Sequence, residues 1–318
     1  MARPLPFHTL RPWLARTFGR AVHRVALDAG SSCPNRDGTK AFGGCTYCDV
    51  EGSGTGAWRS GTALAAQLEA GIRRVRRRDP ECGVIAYFQS YSNTYVPRAR
   101  LDEVLAVVEP HLRESVVAVS VATRPDTLSD DALETLATLA RRVPVWLELG
   151  LEAADDKVLA DIRRFHTVAE FDDAAQRASA AGLLVVGHAI LGLPNDGRDG
   201  ARRTAHALSQ PAVAAVKVHQ LMVLRRTQLE KAWQRGEVAL LDVESYVAWA
   251  ADFVERLRPD QVLHRWSADA ADTELCAPRW DVAKNEIRDL IAAELWRRGT
   301  EQGSHTRGAA PRHDASMS

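Results

Sequence analysis

Apolar runs and amphipathic runs alternate for about two hundred residues, and this beat limits the chain to few folds. Short β-branched stretches at 25–28, 84–88, 116–121, 145–149, 183–191 and 213–221 read as strands. Helical periodicity fills the gaps at 62–78, 101–112, 129–142, 155–162, 168–181 and 198–209, and Ser129 offers a cap for one of them. Strands and helices that alternate at roughly 30 residues form right-handed βαβ units on a parallel sheet. Six such units fit an α/β fold of the partial (β/α)6 barrel type, and a doubly wound sheet is the competing topology. A lead-in helix over 1–22, with Leu10, Trp13, Leu14 and Phe18 on one face, precedes this core at 23–240. A C-terminal extension follows at 241–298, with helices at 242–257 and 280–298 and a short strand at 262–266. The polar stretch 299–318 reads as a disordered tail.

Between the first strand and the first helix lies the run Cys33-Pro34-Asn35-Arg36-Asp37-Gly38-Thr39-Lys40-Ala41-Phe42-Gly43-Gly44-Cys45-Thr46-Tyr47-Cys48. Cys45 and Cys48 form a C-x-x-C bite, and Gly43 and Gly44 let the backbone wrap closely before it. Three thiolates are one short of a closed zinc site or a fully protein-ligated cluster, and sites with a vacant position are the reactive ones. A zinc knuckle would want a fourth ligand, and the loop holds no His and no further Cys. The other two of the five cysteines, Cys82 and Cys276, stand alone, which suits free thiols in a reducing cytoplasm better than a disulfide framework. Charges balance at 41 basic against 41 acidic residues, so no global field argues for nucleic acid or membrane. No apolar run is long enough to span a bilayer, and no membrane partner is expected. The arginines of 73–78 read as a solvated helix end rather than a nucleic-acid contact.

Chemistry in parallel barrels gathers at the C-terminal ends of strands. The second strand ends in the polar run from Gln89 and Ser90 to Tyr95, and the third in Thr123-Arg124-Pro125-Asp126. Pro125 holds the residue before it extended, so Arg124 either reaches for a carboxylate ligand or pairs with Asp126. Period-two alternation puts Glu148, Gly150 and Glu152 on one face of the fourth strand. A carboxylate there needs partners, either a cationic side chain or ribose hydroxyls. The sixth strand turns Lys217 and His219 to one side, as candidates for substrate contact or proton handling.

The cysteine run resembles the cluster loop of radical S-adenosylmethionine (SAM) enzymes, with an aromatic, Tyr47, before the last cysteine. Its gap of eleven residues exceeds the commonest spacing in that superfamily. The wording Cys-Pro-Asn-Arg-Asp-Gly…Gly-Gly-Cys-x-Tyr-Cys is similar to a bacterial subgroup, the YhcC type, related to the catalytic domain of elongator tRNA-modifying enzymes. The resemblance implies an open six-stranded barrel. It implies a 4Fe–4S cluster on Cys33, Cys45 and Cys48, with SAM on the fourth iron. Gln89 and Ser90 stand where the family often has the Gly-Gly-Glu that holds the SAM amino group. Thr123, Arg124 and Glu148 extend that cofactor site. Gly187-His188-Ala189-Ile190-Leu191-Gly192 resembles the adenine-packing motif, which Gly187, Ile190 and Gly192 fit, and the resemblance implies that His188, Ile190 and Gly192 belong to the cofactor site. Arg164 and His166 match the family's Asn-Arg-Gly-His, whereas Arg163 and Phe165 depart from it. The resemblance also implies an electron donor such as flavodoxin or ferredoxin, and a substrate of unknown identity for which tRNA is a candidate. A non-catalytic zinc- or cluster-binding scaffold is the alternative from another class.

Overall fold

The computed structural model describes residues 3–48 and 56–306. Seven parallel strands form one curled sheet, an open half-barrel, in the order β1 (Val22–Leu27), β2 (Gly83–Phe88), β3 (Val116–Thr123), β4 (Val145–Glu152), β5 (Leu184–Leu191), β6 (Val213–Gln220) and β8 (Val262–Arg265). Helices return the chain between them: α2 (Leu64–Arg76), α3 (Arg98–Ala106), α4 (Asp130–Ala140), α5 (Asp156–Asp161), α6 (Val168–Ala180) and α7 (Gly197–Leu208). The sheet's outer face, with Ala86, Phe88, Leu147, Leu149 and Val218, packs on helix residues such as Leu68, Leu136, Phe171 and Leu208. At Gly71 of α2 a Cβ would sit 2.1 Å from Val25, so only glycine lets this helix lie so close to β1.

The lumen is layered, as in closed parallel barrels. Ile85, Ala118, Trp146, Val186, Ala215 and Val262 fill its N-terminal end. Helix α1 (Leu10–Phe18) plugs that end from below with Leu10, Trp13, Leu14 and Phe18, and the rings of Trp13 and Trp146 meet at 5.8 Å. The lead-in helix is thus the floor of the barrel. It is shorter than expected, because β1 already begins at Val22. The basic end of α2, with Arg73, Arg74 and Arg76, lies toward this floor and away from the mouth.

Two expectations need correction. The expected partial barrel is present, and the short strand of the C-terminal extension, β8, joins its sheet as a seventh strand alongside β6. Its outer edge is bridged by Thr9, and the amide of Leu263 donates to the His8 carbonyl at 2.9 Å. A boundary at 240 therefore cuts through the sheet. The first residues of the expected tail are also built into the fold. Gln302 is buried, its amide donating to the carbonyls of Arg258 at 2.6 Å and Gln261 at 2.8 Å and accepting from the His8 amide at 2.9 Å. Residues 307–318 lie outside the described residues. The remaining elements are a two-stranded ribbon of β7 (Val223–Leu224) and β9 (Leu275–Ala277) and the helices α8 (Gln228–Gln234), α9 (Val243–Val254) and α10 (Lys284–Arg298).

Candidate active site

The cysteine loop leaves the end of β1 and closes over the lumen's mouth. Backbone bonds hold its shape: the amides of Arg36 and Asp37 donate to the Cys33 carbonyl, and that of Cys48 to Cys45. Further bonds pin it to neighbours, from Thr46 to the Ile162 carbonyl at 3.0 Å and from Leu229 to the Thr46 carbonyl at 2.9 Å. Cys33, Cys45 and Cys48 all line one cavity of about 440 Å³ that runs down into the lumen.

Donors surround the sulfurs. Arg36 Nη2 lies 3.1 Å from Cys48 Sγ. Fully buried Asn35 points its amide at Cys45 Sγ at 3.5 Å while holding the Arg163 and Arg164 carbonyls. Arg164 Nη1 lies 4.0 Å from Cys45 Sγ. Its other nitrogens reach the Gly150 carbonyl at 3.1 Å, Glu152 at 3.4 Å and His166 Nε2 at 3.1 Å. Burial disfavours the Arg164 charge, but Tyr47, Glu152, Cys45 and Cys33 outweigh it and strengthen the guanidinium. His166 is pushed down to about 3, first by burial and then by Arg164, so it serves Arg164 as a neutral acceptor. Such donors compensate negative sulfur, as the outer shell of a metal centre does.

The sulfurs' spacing separates two kinds of centre. A single zinc ion holds thiolates within roughly 4 Å of one another. Among the described residues the trio gathered within 4.8 Å is His23, Asp79 and Cys82, on the barrel's far side, and not the three loop cysteines. Three thiolates more widely set around a polar cavity fit a cluster better than an ion.

Below the mouth lies a polar layer. Glu148 is fully buried; its Oε1 accepts from Ser120 at 2.7 Å, and its Oε2 accepts from His188 Nε2 at 3.1 Å and from Lys217 Nζ. Lys217 also reaches the Tyr87 hydroxyl at 3.2 Å. Burial works against the Glu148 charge, yet Lys217 and His188 hold the carboxyl well below its usual range. Burial brings Lys217 down to about 7 against the pull of Glu148. The pair is an ion pair whose ammonium sits near its own titration point. His219 stands one step nearer the mouth and is lowered to about 3 by burial and Arg265; its Nδ1 donates to the Gln220 carbonyl at 2.8 Å.

The profile of the radical SAM superfamily matches residues 33–208, and that of the radical SAM C-terminal domain matches 213–297. The chain belongs to the radical SAM superfamily. It is 36% identical over 301 residues to the uncharacterized protein YtqA of Bacillus subtilis, covering 93% of this chain and 92% of the relative. It is 34% identical to protein YhcC of Escherichia coli K12 over 84% of this chain and 85% of that one. A partial match, 28% identical over 125 residues, spans 22% of a tRNA uridine(34) acetyltransferase of Methanocaldococcus jannaschii. Among solved structures, the Methanocaldococcus infernus Elp3 with an N-terminal deletion superposes with a TM-score of 0.68 at 17% identity, over 88% of this chain and 64% of that one, which shows the shared fold. Radical SAM membership brings a 4Fe–4S cluster and SAM, and the donor-ringed thiols above a polar lumen suit that pair.

Within this radical SAM core the expected cofactor residues divide. Gln89, Thr123, Arg124, Glu148, His188, Ile190 and His219 line the cavity with the cysteines. Arg124 forks onto Asp126 at 2.9 Å twice and reaches the Arg164 carbonyl at 2.7 Å, so the turn pairing is present. Its Nη1, buried without a partner, remains as a donor. The Thr123 hydroxyl is shared with Thr94 at 2.6 Å and Thr127 at 3.0 Å. Three residues are not on the cavity wall. Ser90 is buried beneath the Gln89 loop, and Lys217 lies behind Glu148. Gly192 faces Leu241 and Leu221, and Gly187 faces Leu208 of α7. The motif's glycines thus make room for hydrophobic neighbours rather than for a flat ring. Glu148, with both oxygens engaged, has the cationic partner rather than open oxygens for ribose. Sequence reasoning missed Asn35 as a sulfur donor and the wall of Met222, Leu224, Arg265, Ala268 and Glu274. Asn35 carries no mark in the sequence beyond its place in the cysteine run, and Arg265 carries no local signal.

Proposed function

We propose that this enzyme cleaves SAM reductively and abstracts a hydrogen atom from a substrate held in the lumen. The observation that carries the reading is the cysteine trio set at the mouth of a cavity whose deeper wall includes Glu148, backed by Lys217. When bound on Cys33, Cys45 and Cys48, the cluster and SAM would supply a 5′-deoxyadenosyl radical after one-electron reduction by a flavodoxin- or ferredoxin-type donor. The chain's own residues bind and orient. Asn35, Arg36 and Arg164 compensate the charge of the liganding sulfurs. Gln89 and the unpartnered Arg124 Nη1 are suited to the polar end of SAM, and Ile190 to its adenine. The cysteine loop and residues of the 268–274 segment wall the cavity toward its mouth. His219, with its Nδ1 proton committed to the backbone, offers Nε2 as an acceptor, and Lys217 Nζ is held on the Glu148 carboxylate below.

A tRNA base is the substrate class that the partial likeness to a tRNA uridine(34) acetyltransferase supports. No helix among the described residues is long and apolar enough to cross a membrane, in keeping with a cytoplasmic enzyme. The test is anaerobic reconstitution with iron and sulfide, followed by dithionite and SAM. Production of 5′-deoxyadenosine and methionine is expected, whereas one zinc per chain with no iron would overturn the reading in favour of a scaffold. Comparing modified nucleosides of RNA from cells with and without the gene then tests the substrate class.

A further inference from the structure

We infer that the lumen receives an anionic group of the substrate, a carboxylate or a phosphate, on the guanidinium of Arg265. The inference rests on the reading above only in taking the cavity as the substrate's place. Arg265 ends β8, the seventh strand, in register with Lys217 of β6, and it lines the cavity. Its Nε is shielded from solvent and has no hydrogen-bond partner. Among the described residues no carboxylate comes within 4.0 Å of its guanidinium, whereas Arg124, Arg164 and Lys217 each hold one, on Asp126, Glu152 and Glu148. Arg265 is half-buried, and a partly desolvated cation without a counter-charge is costly unless something arrives to match it.

The neighbours sharpen the sign. Arg265 is among the leading influences on Tyr87, Lys217, His219 and Tyr246, and none of these four is an anion at neutral pH. Arg24 lies in the same layer, on His264 Nδ1 at 3.0 Å and over the Tyr87 ring. His188, His219 and His264 are all lowered, first of all by burial, and stay neutral. The layer therefore sets Arg24, Lys217 and Arg265 against the single carboxylate Glu148. The other acidic side chains on the wall are Glu152, held by Arg164, Asp269, held by Lys284, and Glu274. Arg265 thus stands on the wall with no carboxylate paired to it among the described residues, and a planar guanidinium fork suits carboxylate or phosphate.

The experiment uses the anaerobic holoenzyme with SAM bound and titrates malonate and inorganic phosphate separately by calorimetry. Wild type, Arg265→Gln, Arg265→Lys and the exposed control Arg141→Gln are compared. One anion per chain should bind wild type and the control. Arg265→Gln should weaken it at least tenfold, about 1.4 kcal/mol, with Arg265→Lys in between. Preference for malonate assigns a carboxylate, and preference for phosphate assigns a phosphate. Equal binding to wild type and Arg265→Gln overturns the proposal, as does no binding to wild type. SAM affinity measured on the same samples should stay within about twofold of wild type; a loss comparable to the anion's would assign Arg265 to the SAM carboxylate and overturn the proposal too. If the glutamine variant does not fold, wild type decides alone: malonate or phosphate must raise its melting temperature with concentration, and chloride at equal ionic strength must not. Failure of the wild type to form 5′-deoxyadenosine would sink the radical reading while leaving this binding result to be judged by itself.

Discussion

Removing the carboxylate of Glu148 should destabilise the fold far more than a surface charge change would. Both members of the Glu148–Lys217 pair are buried, at 0% and 2% side-chain exposure. Glu148→Gln leaves the ammonium with the Tyr87 hydroxyl and no anion, and breaking a buried pair from one side costs about 3–5 kcal/mol. With an m-value near 3 kcal/mol/M, the urea midpoint should drop by about 1 M or more. Lys217→Met should also destabilise, because Glu148 then keeps only Ser120 and His188. The double variant should lose much less than the sum, a coupling of about 2 kcal/mol or more in a double-mutant cycle. The pH dependence has a definite sign. Buried Lys217 titrates below its unfolded value of about 10.4, so the unfolded chain binds more protons between the two. Stability of Glu148→Gln should therefore rise with pH from neutrality toward about 10, with a slope that the double variant lacks. Urea unfolding of the apo-protein at several pH values measures all of this. A coupling below about 0.5 kcal/mol, the value of an exposed pair, would refute the view that this layer is a dry, mutually satisfied network.

Asp196 is raised to about 6 by burial, with Asp155 adding to the effect and Arg203 opposing it. The folded state then binds the proton more tightly than the unfolded one, so this group's contribution is lost as pH rises through about 4 to 6. Asp196→Asn should be more stable than wild type by about 1–2 kcal/mol at pH 7.5 and no more stable at pH 4, read by urea denaturation. Cys45→Ala should fail to retain reconstituted iron, whereas Cys82→Ala and Cys276→Ala should retain it; equal loss in all three would contradict the ligand assignment. Gln302→Ala removes two donated bonds and one accepted bond that tie the chain's end to 258–261 and to His8. It should cost about 1–3 kcal/mol, and a melting temperature equal to wild type would show that this end is dispensable.

Much of the frame was legible because two signals have a strict physical cause. Period-two alternation placed Glu148 inward and Leu147 and Leu149 outward, and both faces of β4 obey it. The cysteine run was legible from its C-x-x-C bite together with its flanking residues, despite a gap longer than the commonest one. What escaped has equally physical reasons. The short strand at 262–266 was legible, but not its place in the sheet, which is fixed by the open edge of β6 far back in sequence. The start of the tail looked disordered because polar composition conceals side chains that bond to buried backbone, as Gln302 does. Gly187 and Gly192 were read toward a ligand because a missing side chain looks the same in sequence whichever neighbour needs the room. Arg265 gave no signal because its meaning lies in what does not surround it.

The most direct measurement is the electron paramagnetic resonance spectrum of the reconstituted, dithionite-reduced protein with and without SAM. Three cysteine ligands leave one iron open, so the account predicts a reduced 4Fe–4S signal whose g values move when SAM is added. A protein that binds no iron, or a cluster whose spectrum ignores saturating SAM, would contradict it.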